Sequence, residues 1–144
     1  MSQKVINWIE APLYNTIKTV IPIASIDLLV VYRNRLLLML RKNKPGRGLW
    51  YTPGGRIFRG ETLETAVSRI LKKETGLEAN RVEQKGTMAQ IWHETHFITT
   101  FYRVDVASGD VEMNDEHSDY KWITGDPGDL HPFVAEMIER ARIF

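Results

Sequence analysis

The sequence predicts an α+β or α/β fold in which one mixed β-sheet is sandwiched between helices. Three observations predict it. Residues 23–32 form a β-branched and aliphatic run long enough for a full strand, and residues 82–93 and 96–106 read as two more. Residues 62–75 carry apolar side chains at helical spacing. A second helical pattern starts at Pro132, with Phe133, Val134, Met137, Ile138 and Ala141 on one face. Strands, helix, strands, helix in that order bury both sheet faces, which is a layered sandwich.

Each element has its own signal. Residues 3–18 place Val5, Ile6, Ile9, Leu13 and Ile17 at loosely helical spacing, interrupted by Pro12, so one or two short helices are expected. Arg33-Asn34-Arg35 is a tight turn joining the first strand to a second at 36–41. Residues 42–48 hold a proline and two glycines among cations, which is a loop. Residues 50–57 contain Pro53-Gly54-Gly55 and read as a strand that bends sharply. Thr62 opens the next helix, with Glu61 and Glu64 at its positive end and Gly76 at its C-terminal cap. A short strand is expected at 120–123.

The 144 residues suffice for one domain with a real core, so residues 1–144 are expected to form a single domain. The net charge of +1 creates no global field that would recruit nucleic acid or a membrane. Cysteine is absent, which excludes disulfides, thiolate nucleophiles and zinc–thiolate centres. The most apolar run, 21–32, is broken by Pro22 and Asp27 and is too short to span a bilayer. The N-terminus lacks a long apolar signal core, so the expected location is cytoplasmic.

On the helix at 62–75, Leu63, Val67, Ile70, Leu71 and Glu74 fall on one side. A carboxylate in that apolar stripe is costly unless a cation, a metal or hydrogen bonds meet it. Gly54 and Gly55 let backbone groups approach a ligand closely. Asp27, in an apolar strand, is likewise expensive without a partner. Arg41 and Arg56 flank the glycine-rich loop, where cations suit phosphate. Trp50 and Trp92 are aromatic enough to stack on a base, but core packing explains them more simply.

The stretch from Gly55 through Glu61 to Arg69-Ile70-Leu71-Lys72-Lys73-Glu74-Thr75-Gly76-Leu77 resembles the signature of the Nudix hydrolases, with Ile70 and Lys73 where the family usually has glutamates. The resemblance covers about residues 23–123. Several segments are similar to the GDP-mannose mannosyl hydrolase subgroup, which also lacks those glutamates. They are 22–27, 36–41 with Asn43, Pro45 and Gly48-Leu49-Trp50, the box itself, and Asp115-Glu116-His117-Ser118-Asp119-Tyr120-Lys121-Trp122.

The resemblance implies roles. Glu74, the Gly54 carbonyl and Glu116 would bind Mg²⁺ (or Mn²⁺), with Glu116 standing where the subgroup has a glutamine. His117 would be the general base. Arg41, Arg56 and Arg69 would line the diphosphate or support the site, Asp27 would lie near the sugar, and His93 would be a further active-site histidine. The subgroup is homodimeric, and the amphipathic N-terminus could serve such an interface. The substrate would be a nucleoside-diphosphate sugar such as GDP-mannose or GDP-glucose. Water would attack the anomeric carbon and release GDP, a leaving group that one Mg²⁺ and the arginines can stabilise. Two alternatives stay open: a conventional pyrophosphohydrolase acting at phosphorus through Glu74 and Glu116, and a non-catalytic nucleotide-binding module.

Overall fold

The computed structural model describes residues 5–125 and 128–144. Its elements run α1 (Ala11–Val20), β1 (Ile23–Tyr32), β2 (Arg35–Arg41), β3 (Trp50–Tyr51), β4 (Gly54–Arg56), α2 (Leu63–Thr75), β5 (Ala79–Ile91), β6 (His96–Val106), β7 (His117–Ile123) and α3 (Pro132–Ala141). All seven strands form one sheet in the order β3-β2-β1-β6-β5, with β4 paired to β1 and β7 to β2. The sheet is mixed, as expected. β1 and β6 run parallel from Ile23↔Phe97 to Val31↔Asp105, and the other pairs are antiparallel.

Period-two alternation explains how both faces are filled. Ile26, Leu28 and Val30 of β1 and Leu37 and Met39 of β2 pack with Ala66, Val67, Ile70 and Leu71 of α2. Leu29, Leu36 and Leu38 point the other way and pack with Val134, Met137 and Ala141 of α3. The sheet thus separates two apolar layers. Asp27 shares the parity of Leu29 and belongs to the α3 side.

Local chemistry sets the ends of these elements. Arg33 and Asn34 both adopt positive φ, +50° and +61°, the backbone of a two-residue hairpin turn whose twist matches the strands. Thr62 caps α2 by accepting from the Thr65 amide at 3.2 Å. Gly76 ends α2 at φ +72°, where a side chain would be strained. Pro132 sits in the first turn of α3.

The N-terminal expectation needs correction. Residues 3 and 4 lie outside the described residues. Ile6 is extended and bridges Arg59, and a single helix begins at Ala11. Pro12 does not interrupt this helix; it occupies the first turn, where no intrahelical N–H is required. The bent strand at 50–57 resolves into β3 and β4 on either side of Thr52-Pro53. β5 starts and ends earlier than read, leaving Trp92 and His93 in the turn, and β7 extends back to His117.

Candidate active site

The glycine-rich loop is pressed against β1. Gly54 pairs with Asp27 across the β1–β4 ladder. A Cβ at Gly54 would collide with Asp27 Oδ1 and sit 2.6 Å from the Ile26 carbonyl oxygen, so only glycine allows this approach. Gly55 faces Ile70 of α2, whose side chain is buried. Where the usual signature has a carboxylate, this chain places hydrocarbon between loop and helix.

Arg69 and Glu61 hold the loop onto α2. Arg69 donates to both Glu61 oxygens, at 2.6 and 2.9 Å, and to the Arg56 carbonyl at 2.9 Å. Its guanidinium lies over the Phe58 ring, 3.5 Å from the centroid. The Arg69 hydrogen bonds keep the Glu61 carboxyl below its ordinary range. Arg69 therefore supports the site and does not line its cavity.

A cavity of ≈ 200 Å³ opens beside this loop. Five of the residues expected in the site line it: Asp27, Arg41, Gly54, Arg56 and Glu116. Lys44 adds a third cation, and Tyr14 contributes from α1. Arg41 is steadied by donating from Nε to the Pro45 carbonyl at 2.7 Å. A register shift after Leu40, where Leu40 pairs with Asp119 but Arg41 with His117, shapes the start of β7 next to Glu116.

Asp27 is the buried acid of this cavity. Its Oδ2 accepts from Gln90 Nε2 at 2.9 Å. Burial raises its pKa from 3.8 to about 7, against the opposing effects of the Gln90 hydrogen bond and the Arg41 charge. Beside it, Tyr51 carries a hydroxyl with no hydrogen-bond partner among the described residues. Gln90, which donates to Asp27, is also close enough to act on that hydroxyl. Burial, reinforced by the Asp27 charge, pushes the Tyr51 phenol far above its usual range.

Glu74 and His117 are placed elsewhere. Both are buried, and neither lines the cavity. Glu74 Oε2 accepts from Asn114 Nδ2 at 2.9 Å and lies 3.3 Å from His117 Nδ1, too misaligned for a hydrogen bond. Asn114 Oδ1 also accepts from the Glu116 amide at 2.9 Å, tying α2 to the segment that carries Glu116 and His117. His93 lies with Lys18 and His96 in a neighbouring groove, separated from Asp27 by Trp92, which borders both.

The expected ligand set is thus divided. Gly54 and Glu116 face the cavity, while Glu74 is engaged by Asn114. Among the described residues no three carboxylate or imidazole groups converge on one point. Gly54 and Glu116 carry hard oxygens, the donor type that an ion such as Mg²⁺ takes from protein while phosphate and water complete its shell.

Sequence reasoning missed four participants, of which Lys44 was one more cation of a basic loop. Gln90 and Tyr51 were ordinary strand residues, and Asn114 an ordinary loop residue. The signal available for Asn114 was its position two residues before Glu116, the spacing of an Asx turn.

The model of the NUDIX domain matches residues 22–140 of this chain. The chain belongs to the Nudix family. Among curated relatives of this Nudix protein, the low-salt glycan biosynthesis protein Agl8 of Haloferax volcanii is 29% identical over 127 residues, spanning 83% of this chain and 81% of that protein. An ADP-ribose pyrophosphatase of Methanocaldococcus jannaschii is 33% identical over 97 residues, or 66% of this chain and 57% of that protein. Among solved structures, the MutT Nudix hydrolase of Burkholderia pseudomallei superposes with a TM-score of 0.74 at 26% identity, covering 83% of this chain and 97% of that one. The Nudix domain of Shewanella oneidensis NrtR, solved with ADP ribose, gives 0.71 at 26% identity, covering 85% and 87%.

Proposed function

We propose that this Nudix hydrolase cleaves a nucleoside-diphosphate sugar, of the GDP-mannose or GDP-glucose kind, by directing water at the anomeric carbon. One observation carries this reading. A buried carboxyl group, Asp27, shares its cavity with Arg41, Lys44 and Arg56, while Ile70 and Lys73 remove two carboxylates that chemistry at phosphorus usually enlists.

The residues divide the work. Arg41, Lys44, Arg56 and the Gly54-Gly55 backbone bind the diphosphate and stabilise its charge as it departs. Asp27, with a pKa of about 7, is ionised in a substantial fraction of molecules at neutral pH and takes the proton from water. The bond from water oxygen to the anomeric carbon forms as the bond from carbon to phosphate oxygen breaks. GDP leaves with the electron pair, and the sugar emerges inverted. Mg²⁺ or Mn²⁺, held by the Gly54 carbonyl and Glu116, would neutralise diphosphate charge. Asn114 ties the Glu74–His117 pair to the Glu116 segment and so positions Glu116 from behind. The base role moves from His117 to Asp27 because Asp27 lines the cavity and His117 does not.

A second reading has support of its own. Glu116 is a carboxylate on the cavity, and one relative is named for pyrophosphatase activity toward ADP-ribose. That favours attack at phosphorus. Turnover of GDP-mannose with Mg²⁺ in ¹⁸O-water separates the two. Label in the free sugar supports attack at carbon; label in a phosphate product would sink it. Binding without turnover of any nucleotide derivative would leave a non-catalytic module.

A homodimer in the cytoplasm belongs to the same reading. Trp8, Leu13, Val20 and Ile21 are exposed along the N-terminal stretch and α1. Among the described residues, no helix is long and apolar enough to cross a membrane.

A further inference from the structure

Tyr51 is only 4% exposed, yet its hydroxyl has no hydrogen-bond partner among the described residues. A buried hydroxyl left unmatched is costly, and chains rarely keep one without use. Tyr51 lines the same cavity as Asp27 and Gln90. Its ring is fixed on several sides. Trp92 lies 5.8 Å away between centroids and His131 5.9 Å, and these two stack on each other at 4.8 Å. Phe133 closes the cluster against Trp92 at 5.3 Å. The hydroxyl therefore cannot swing away to find another partner. The phenol also stays protonated at any ordinary pH, so it is a neutral donor held ready at a fixed point.

We propose that Tyr51 is a specificity-determining residue whose hydroxyl donates to a ring hydroxyl of the sugar bonded directly to the diphosphate. The position of the cations singles out that part of the substrate. Arg41, Asp27 and Tyr51 line one cavity of ≈ 200 Å³, so the phosphate anchor and Tyr51 share the same small space. A group lodged at Tyr51 is then attached to phosphate without a spacer. A glycosyl ring meets that condition, whereas a nucleobase stands a ribose away. Trp92 and Phe97 supply apolar walls to the same cavity, and aromatic surface combined with hydroxyl, amide and carboxylate groups suits a polyol ring. This inference rests on the nucleoside-diphosphate-sugar reading above and adds the residue that selects the sugar.

The test is Tyr51→Phe in the full chain, which removes one oxygen and keeps the ring. Expected are an unchanged or raised Tm and an unchanged inhibition constant for GDP. In the same variant, kcat/KM for GDP-mannose or GDP-glucose falls about tenfold. One monodeoxy sugar analogue should lose the same factor with the wild-type chain and lose nothing further with the variant. Equal weakening of GDP and GDP-sugar would assign the hydroxyl to the ribose or base and overturn the proposal. So would equal kcat/KM for the two proteins, or a Tm lowered by several degrees, which would reveal an internal partner. In those three cases turnover of the sugar nucleotide itself persists. Failure of the wild-type chain to bind or cleave any nucleoside-diphosphate sugar would instead remove the underlying reading.

Discussion

The two sides of the sheet each bury a carboxylate, and they treat it in opposite ways. On the α3 side, Asp27 faces a cavity, has one neutral hydrogen-bond partner in Gln90, and has its pKa lifted to about 7. On the α2 side, Glu74 is enclosed, bonded to Asn114 and flanked by His117. Burial alone does not make a carboxyl reactive. Access to the ligand space decides, and the partners determine whether that access remains. In the proposed mechanism Asp27 exchanges a proton, whereas Glu74 holds the Asn114 segment.

The largest effect that could break this comparison is on turnover. Asp27→Asn should lower kcat by roughly 10²–10⁴-fold while GDP inhibition is retained. If His117→Gln costs more than Asp27→Asn, the assignments on the two sides are reversed.

A stability measurement sharpens the same contrast. The folded-state pKa of Asp27, about 7, lies above its ordinary value of 3.8. Between those values the folded chain keeps a proton that the unfolded chain has released. The contribution is fully present below pH 3.8 and is lost as pH rises towards 7. Asp27→Asn should therefore raise Tm at pH 8 relative to wild type and leave it little changed at pH 4. A parallel shift at both pH values would show that the effect is not protonation.

Glu74→Ala should behave as a structural lesion. It strips Asn114 of its carboxylate partner inside the fold and should cost about 2 kcal/mol in urea unfolding. GDP affinity at saturating metal should change far less. The smallest change in kcat is expected for His117→Gln, with its loss appearing in KM and in the metal concentration required, through displacement of Glu116. A collapse of kcat at saturating substrate and metal would put His117 back among the reacting groups.

The parts of this architecture that were legible in the sequence are those fixed by local rules. Thr62 and Gly76 bracket α2 because capping chemistry acts within one helical turn. Arg33-Asn34 reads as a hairpin because the twist demands residues that tolerate positive φ. Glu74 stood out as a carboxylate needing a partner, but that partner, Asn114, lies 40 residues away, beyond any local pattern. Pro12 was misread because the same ring that breaks a helix interior is welcome in its first turn. Tyr51 and Gln90 alternate along their strands like core residues. Only the cluster of Trp92, His131 and Phe133, drawn from the β5–β6 turn and the start of α3, shows that this part of the layer ends in a cavity.

The contact between Gly54 and Asp27 also constrains how this chain can change over time. A Cβ at position 54 would occupy the space of the Asp27 carboxylate. Shortening the side chain at 27 would relieve only part of the clash, because the Ile26 backbone carbonyl oxygen lies 2.6 Å from the same Cβ. The glycine is held by backbone as well as by the acid, so a lineage that gives up the carboxylate must still keep Gly54.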